Sequence, residues 1–143
     1  MKKTVTTTAS WKGGMRTEAQ ASGHNMIIDQ PQAGGGQNAG PNPMEYLLLA
    51  LAGCLGTIAA IIANQERIQL DGFNVSIEGD YDPAFLLGKT QEGRAGFTEV
   101  RVKVEIEADM TDEEKQAFFH RVDARCPISD NMINNSKIVF EVE

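Results

Sequence analysis

Positive charge is scarce in this chain and cysteine scarcer, and each shortage excludes something. Lys and Arg number 13 against 20 Asp and Glu, a formal net charge of -7, and the basic residues form no cluster. Neutralising phosphates takes clustered Lys and Arg, so no nucleic-acid partner is expected. An acidic surface also suits an anionic membrane poorly. The only cysteines are Cys54 and Cys126 and the only histidines His24 and His120. They make neither a CxxC pair nor a zinc spacing, so no metal site is expected. The opening stretch MKKTVTTTASWKGG has lysines but lacks the apolar run of a signal peptide. The expected compartment is the cytoplasm, where two cysteines stay reduced unless they do redox work.

What the chain does have is an ordinary globular balance, 41% hydrophobic and 23% charged over 143 residues, which predicts one domain, residues 1–143, with a real core. Its unusual part is GPNPMEYLLLALAGCLGTIAAIIANQ, residues 40–65, with no charged side chain from Tyr46 to Ala63. Asn42 and Pro43 form a helix start, a capping residue followed by proline where its missing N–H costs nothing. The predicted helix runs to Glu66 or Arg67, about 35 Å at about 1.5 Å per residue. Its charge-free part only just reaches the length of a membrane span. A Gly/Pro/Asn loop before it, Glu45 in its first turn and the lack of a flanking basic cluster argue against that reading. Apolar residues cover every face, more than one small sheet can bury. The surplus predicts a second subunit packed against this helix.

Around the helix the pattern is α+β. KTVTTTASW, MRTEAQA and NMIID read as short strands separated by Gly-Gly and Ser-Gly turns. PQAGGGQNAGPNP is loop, and its glycines match neither a P-loop nor a dinucleotide fingerprint. FNVSIEGDY and FTEVRVKVEIEAD alternate as half-buried antiparallel strands, the second with Val100, Val102, Val104 and Ile106 inward. Between them PAFLLGKTQEGRAG is a loop carrying apolar residues, a lid or substrate contact. Thr111 and Glu114 form a capping box ahead of DEEKQAFFHRVDAR. CPISDNMINNS starts a short second helix, and KIVFEVE is predicted to close the fold as a strand.

The two cysteines sit in different settings. Cys126 precedes Pro127, so it would cap a helix, its sulfur among free N–H groups that favour thiolate. Cys54, mid-helix among leucines, should have a raised pKa unless a cation or polar group reaches it. Two small buried hydrophobes would satisfy the same residues.

GPNPMEYLLLALAGC followed far downstream by RCPIS resembles the OsmC/Ohr family, named for osmotically inducible protein C and organic hydroperoxide resistance protein. The resemblance extends over nearly the whole chain, from the arginine after WKGGM to the Cys-Pro helix. It implies an OsmC-like fold in an intertwined homodimer, antiparallel sheets packed on long central helices, with active sites at the subunit interface that reduce organic hydroperoxides. Carried over by motif, Cys54 would be the peroxidatic thiol and Cys126 the resolving one. Arg16 would be the arginine that stabilises the thiolate and polarises the peroxide. No bound cofactor is implied; an external dithiol would restore the thiols, a lipoylated protein in some relatives.

One position departs from the family pattern. Typical members carry a glutamate ten residues before the first cysteine, where it pairs with the arginine. Here that residue is Met44, and Glu45 stands nine before. Ten residues put two helical side chains about 80° apart and nine about 180°, so Glu45 would point away from Cys54 unless the first turn is irregular or it serves the partner's site. The alternative is a plain N-terminal acid favoured by the helix dipole.

Three functions compete. The first is a thiol-dependent organic hydroperoxide reductase using Cys54, Cys126, Arg16 and Glu45. The second is a non-enzymatic dimer of the same fold that binds an apolar or electrophilic small molecule at its interface. The third is a Cys-His acyl-transfer enzyme, for which His24 would be the base and His120 an ordinary helix residue.

Overall fold

The computed structural model describes Met1–Glu143. The chain divides into two compact units, Met1–Leu47 and Leu48–Glu143.

The first unit holds an antiparallel sheet in the order β1-β2-β3, built from β1 (Thr8–Trp11), β2 (Thr17–Ala21) and β3 (His24–Ile28). The β2–β3 hairpin turns on Ser22 and Gly23, both at positive φ, with Ala21 opposite His24. This is the two-residue turn whose twist matches its strands. The Gly-rich stretch that follows is loop, with one 3-10 turn at Gln32–Gly34, and is organised by Asp29. That carboxylate is 2% exposed and accepts from the N–H groups of Gln30, Gln37 and Ala39. Its pKa is lowered chiefly by the Ala39 and Gln30 N–H bonds, against a raising effect of burial, with the nearby Arg16 charge also favouring the ionised form. A Cβ at Gly36 or Gly40 would run into the carbonyl of Gln30 or of Ile27, so the loop closes only with glycine there.

The long helix α1 (Pro43–Glu66) begins as predicted. Asn42 Oδ1 accepts from Glu45 N–H at 2.9 Å, and the Glu45 carboxylate accepts from Asn42 N–H at 2.8 Å. This reciprocal pair satisfies two helix-end donors. Tyr46 donates its hydroxyl to the Ile27 carbonyl at 2.8 Å, which fastens the first turn to the end of β3.

In the second unit, α1 contributes Leu51, Leu55, Ala59, Ile62 and Ala63 to a core completed by Phe118, Val122 and Cys126. Spacings of three and four put the five helix residues on one face. Strands β4 (Gly72–Asp80) and β5 (Glu99–Glu107) pair antiparallel. Phe73, Val75, Ile77, Val100 and Ile106 pack on the core, but Val102 stays 39% exposed, so only part of the predicted inward row of β5 is covered within the chain. The connection between the strands contains a short helix not anticipated, α2 (Pro83–Leu86), capped by Asp82 through Ala84 N–H. Leu86 and Leu87 are exposed, as the apolar loop reading expected. Helix α3 (Asp112–Ala124) carries the full Thr111–Glu114 capping box, and α4 (Pro127–Ile133) follows with Cys126 as its N-cap.

The predicted closing strand is not formed. Residues 137–143 have no ladder partner, and Ile138, Val139, Phe140 and Val142 are all at least 70% exposed. A strand exists only by bonding to a neighbouring edge, and this segment finds none in its own chain. Helix α1 is likewise under-covered. Leu49 is 56% exposed, and only 28% of the most apolar window of α1, of mean hydropathy 2.3, is buried. By length and composition this helix is able to cross a membrane.

Candidate active site

The two cysteines meet. Cys54 lies midway along α1 and Cys126 at the N-cap of α4, and their Sγ atoms are 2.9 Å apart. Both are free thiols, Cys54 half-buried and Cys126 buried. A disulfide bond is about 2 Å long, so joining the sulfurs takes a movement of about 1 Å.

Local chemistry sets the Cys126 position. Helix α3 stops at Arg125, whose N–H bonds back to Val122, and Cys126 N–H bonds to the Asp123 carbonyl. Pro127 then restarts the helix, and Cys126 Sγ accepts from Ser129 N–H at 3.4 Å. Ser129 is itself held, its Oγ donating to Asp123 Oδ1 at 2.6 Å. Two arginines fix α3 along α1: Arg121 makes a two-pronged contact with Glu66 at 2.9 and 2.7 Å, and Arg125 donates to Gln65 at 2.8 Å. Such exposed contacts add little stability singly. With Phe118 and Val122 both wholly buried, they fix the register that brings Cys126 to Cys54.

Protonation at Cys126 differs from the sequence expectation. Burial pushes its thiol up, the hydrogen bond with Cys54 adds to this, and the N–H groups of Ser129 and Ile128 pull the other way. The cap geometry forms as predicted, yet loss of water outweighs two N–H donors. Cys126 therefore holds its proton, and the polar group that reaches Cys54 is the Cys126 thiol.

The other expected site residues belong to the first unit. Arg16 pairs with Glu18 at 2.9 Å and borders a polar cleft of about 300 Å³, with Lys12, Met15, Asp29 and the loop glycines. Glu45 is exposed and engaged in the helix cap, the role open to a plain N-terminal acid. It is not hydrogen-bonded or ion-paired to Arg16, whose carboxylate partner is Glu18. His24 and His120 are exposed. Sequence reasoning missed Asp29, Asp123 and Ser129. Asp29 had a signal, an acid where a strand runs into a Gly/Asn loop rich in free N–H groups. Asp123 and Ser129 had none, because their meeting depends on the turn at Arg125.

Two thiols at this distance, one buried and one half-buried, can exchange two electrons with an oxidant and store the result as a disulfide. Residues 34–143 match the family described as OsmC-like protein, and the chain belongs to that family. Among curated proteins none matches. The fold is that of several crystal structures. An OsmC-like protein from Mycoplasma pneumoniae superposes with a TM-score of 0.81 at 21% identity, covering 94% of this chain and 91% of that one. An organic hydroperoxide resistance protein from Elizabethkingia anophelis gives 0.71 at 21% identity, covering 94% and 91%. A protein from Legionella pneumophila, described as organic hydroperoxide resistance protein OsmC, gives 0.70 at 21% identity, covering 93% and 91%. At these identities the likeness carries the α+β fold with its antiparallel sheets.

Proposed function

We propose that the protein is a cytoplasmic, thiol-dependent peroxidase that reduces organic hydroperoxides. The observation that carries this reading is the 2.9 Å separation of Cys54 and Cys126 Sγ. A Cys54 thiolate attacks the distal peroxide oxygen, the O–O bond breaks, the alcohol leaves, and Cys54 becomes a sulfenic acid. Cys126 condenses with it, forming the disulfide and releasing the hydroxyl group as hydroxide or water. An external dithiol, of the kind a lipoylated protein carries, then reduces the disulfide. Glu45 serves by fixing the start of the helix that carries Cys54.

The working form is a homodimer. The uncovered side of α1 and the unpaired strand-like segment 137–143 are apolar surfaces that a second copy would cover. Apolar walls of this kind favour organic hydroperoxides over hydrogen peroxide. The ion pair of Arg16 with Glu18 and the capping role of Glu45 favour a second reading, a dimer that binds an apolar or electrophilic molecule without turnover.

The test is a free-thiol count by intact mass after alkylation of reduced protein given one equivalent of an organic hydroperoxide. Rapid loss of both thiols is expected, with Cys126→Ser halted at one oxidised sulfur and Cys54→Ser inert. Persistence of both thiols at peroxide concentrations that oxidise free cysteine would sink the peroxidase reading in favour of the binder.

A further inference from the structure

The oxygen that Cys54 takes from the peroxide must carry a proton before it can leave as hydroxide, and Cys54, attacking as a thiolate, has none to give. Cys54 packs against the apolar core that includes Leu51 and Leu55 of α1 and Val122 of α3. Of the charged groups on the surrounding elements, Glu66 pairs with Arg121, Asp80 and Glu99 with Arg101, Lys103 with Glu105, Asp123 with Ser129, Arg125 with Gln65 and Asp130 with Asn134. Asp112, Glu113 and His120 of α3 are exposed and Lys115 is partly so; the one hydrogen bond to Cys54 Sγ comes from Cys126. Glu78 also faces Arg101. Arg16, a first-unit residue, is a cation that gives up no proton at ordinary pH. One group in contact with Cys54 Sγ carries a transferable hydrogen: the Cys126 thiol, 2.9 Å away and 1% exposed.

Resting on the peroxidase reading, we infer that Cys126, besides being the resolving thiol, gives its proton to the oxygen that the first step leaves on Cys54. Before peroxide arrives, the Cys126 S–H is hydrogen-bonded to the Cys54 thiolate. As Cys54 takes the distal oxygen, that oxygen's own hydrogen moves to the departing alkoxide, which leaves as alcohol. The oxygen left on Cys54 lies beside Cys126 and takes its proton, giving a neutral sulfenic acid and a Cys126 thiolate. The Ser129 N–H, held in line by Asp123, remains to receive that new charge. The Cys126 thiolate then attacks the Cys54 sulfur, the S–S bond forms and hydroxide leaves. Two thiol electron pairs become one disulfide, and the peroxide takes two electrons. The resolving nucleophile is thus made by the first step, and Cys126 stays protonated and inert until Cys54 has reacted.

The experiment compares native protein with Cys126→Ala and Cys126→Ser, each checked for folding by thermal melting. The first arm uses no peroxide: the rate of Cys54 alkylation is followed against pH by peptide mass. A hydrogen bond to the charged form stabilises it, so Cys126→Ala should slow Cys54 alkylation at neutral pH by about tenfold. Cys126→Ser, which keeps a weaker donor, should fall between. The second arm follows first-step oxidation with tert-butyl hydroperoxide, sulfenic acid being trapped by a 1,3-dione. Cys126→Ala should be about tenfold slower than native protein, with Cys126→Ser again between.

A residue that acts only in resolution would leave both readouts unmoved, and that result overturns the inference while the peroxidase reading stands. If native Cys54 resists the hydroperoxide altogether, the peroxidase reading fails and the relay fails with it, whatever the alkylation profiles give.

Discussion

The two units treat their polar groups in opposite ways. In the first, each functional-looking side chain is satisfied by a near neighbour in the chain: Arg16 by Glu18 two residues on, Glu45 by Asn42 three residues back, and Asp29 by N–H groups no more than ten residues away. In the second, two weakly polar thiols meet across 72 residues inside an apolar core. Local satisfaction makes a rigid and chemically quiet surface. The long-range meeting brings together two thiols able to react with each other, because only the other sulfur and two backbone N–H groups relieve the burial of Cys126.

This contrast breaks most sharply at Phe118, wholly buried on α3. Replacing it with alanine should cost about 3–5 kcal/mol, read by denaturant unfolding, and should slow disulfide formation, since the register that joins the sulfurs depends on α3 sitting against α1. The β1–β3 sheet, followed through the single Trp11, whose indole donates to the Gly14 carbonyl, should be disturbed far less. Equal loss in both units would mean that the division is not energetic.

Acid should attack the other unit first. The Asp29 pKa is depressed in the fold, so its contribution to stability is present above the unfolded carboxylate value of about 3.9 and is lost as pH falls through the folded one. Hydrogen exchange of the Gln37 and Ala39 amides should accelerate below about pH 4, and Asp29→Asn should show that faster exchange already at neutral pH. Unchanged protection in Asp29→Asn would remove the carboxylate as organiser of the loop.

The smallest expected effect is at the end of α1. Arg67 sits at positive φ, where Ile68 N–H bonds back to the Ala63 carbonyl, a helix stop that glycine fills without strain. Arg67→Gly should stabilise by about 0.5–1 kcal/mol, visible as a small rise in Tm with no change in thiol chemistry.

Legibility in the sequence follows the same division. The start of α1 at Pro43, the Thr111–Glu114 box, the Ser22-Gly23 turn and the Cys126 cap each depend on residues within a few positions of one another, and all were readable. The meeting of Cys54 with Cys126 was not readable from spacing; only the family resemblance pointed to it. KIVFEVE alternates like a strand, but alternation says nothing about which edge will accept it, and within one chain no edge does. At Cys126 the cap was legible and the protonation was not, because burial depends on Phe118 and Val122 arriving from another helix.

The unequal exposure of the two thiols also decides where damage accumulates. Over-oxidation to sulfinic acid requires a thiolate, or its sulfenic acid, that a second oxidant can reach. Cys126, enclosed and protonated at rest, offers neither, so on the peroxidase reading Cys54 would be the sulfur on which irreversible wear is recorded. A population of ageing molecules would keep an intact Cys126 beside a spent Cys54, and the state of that one sulfur would register the oxidant each molecule has met.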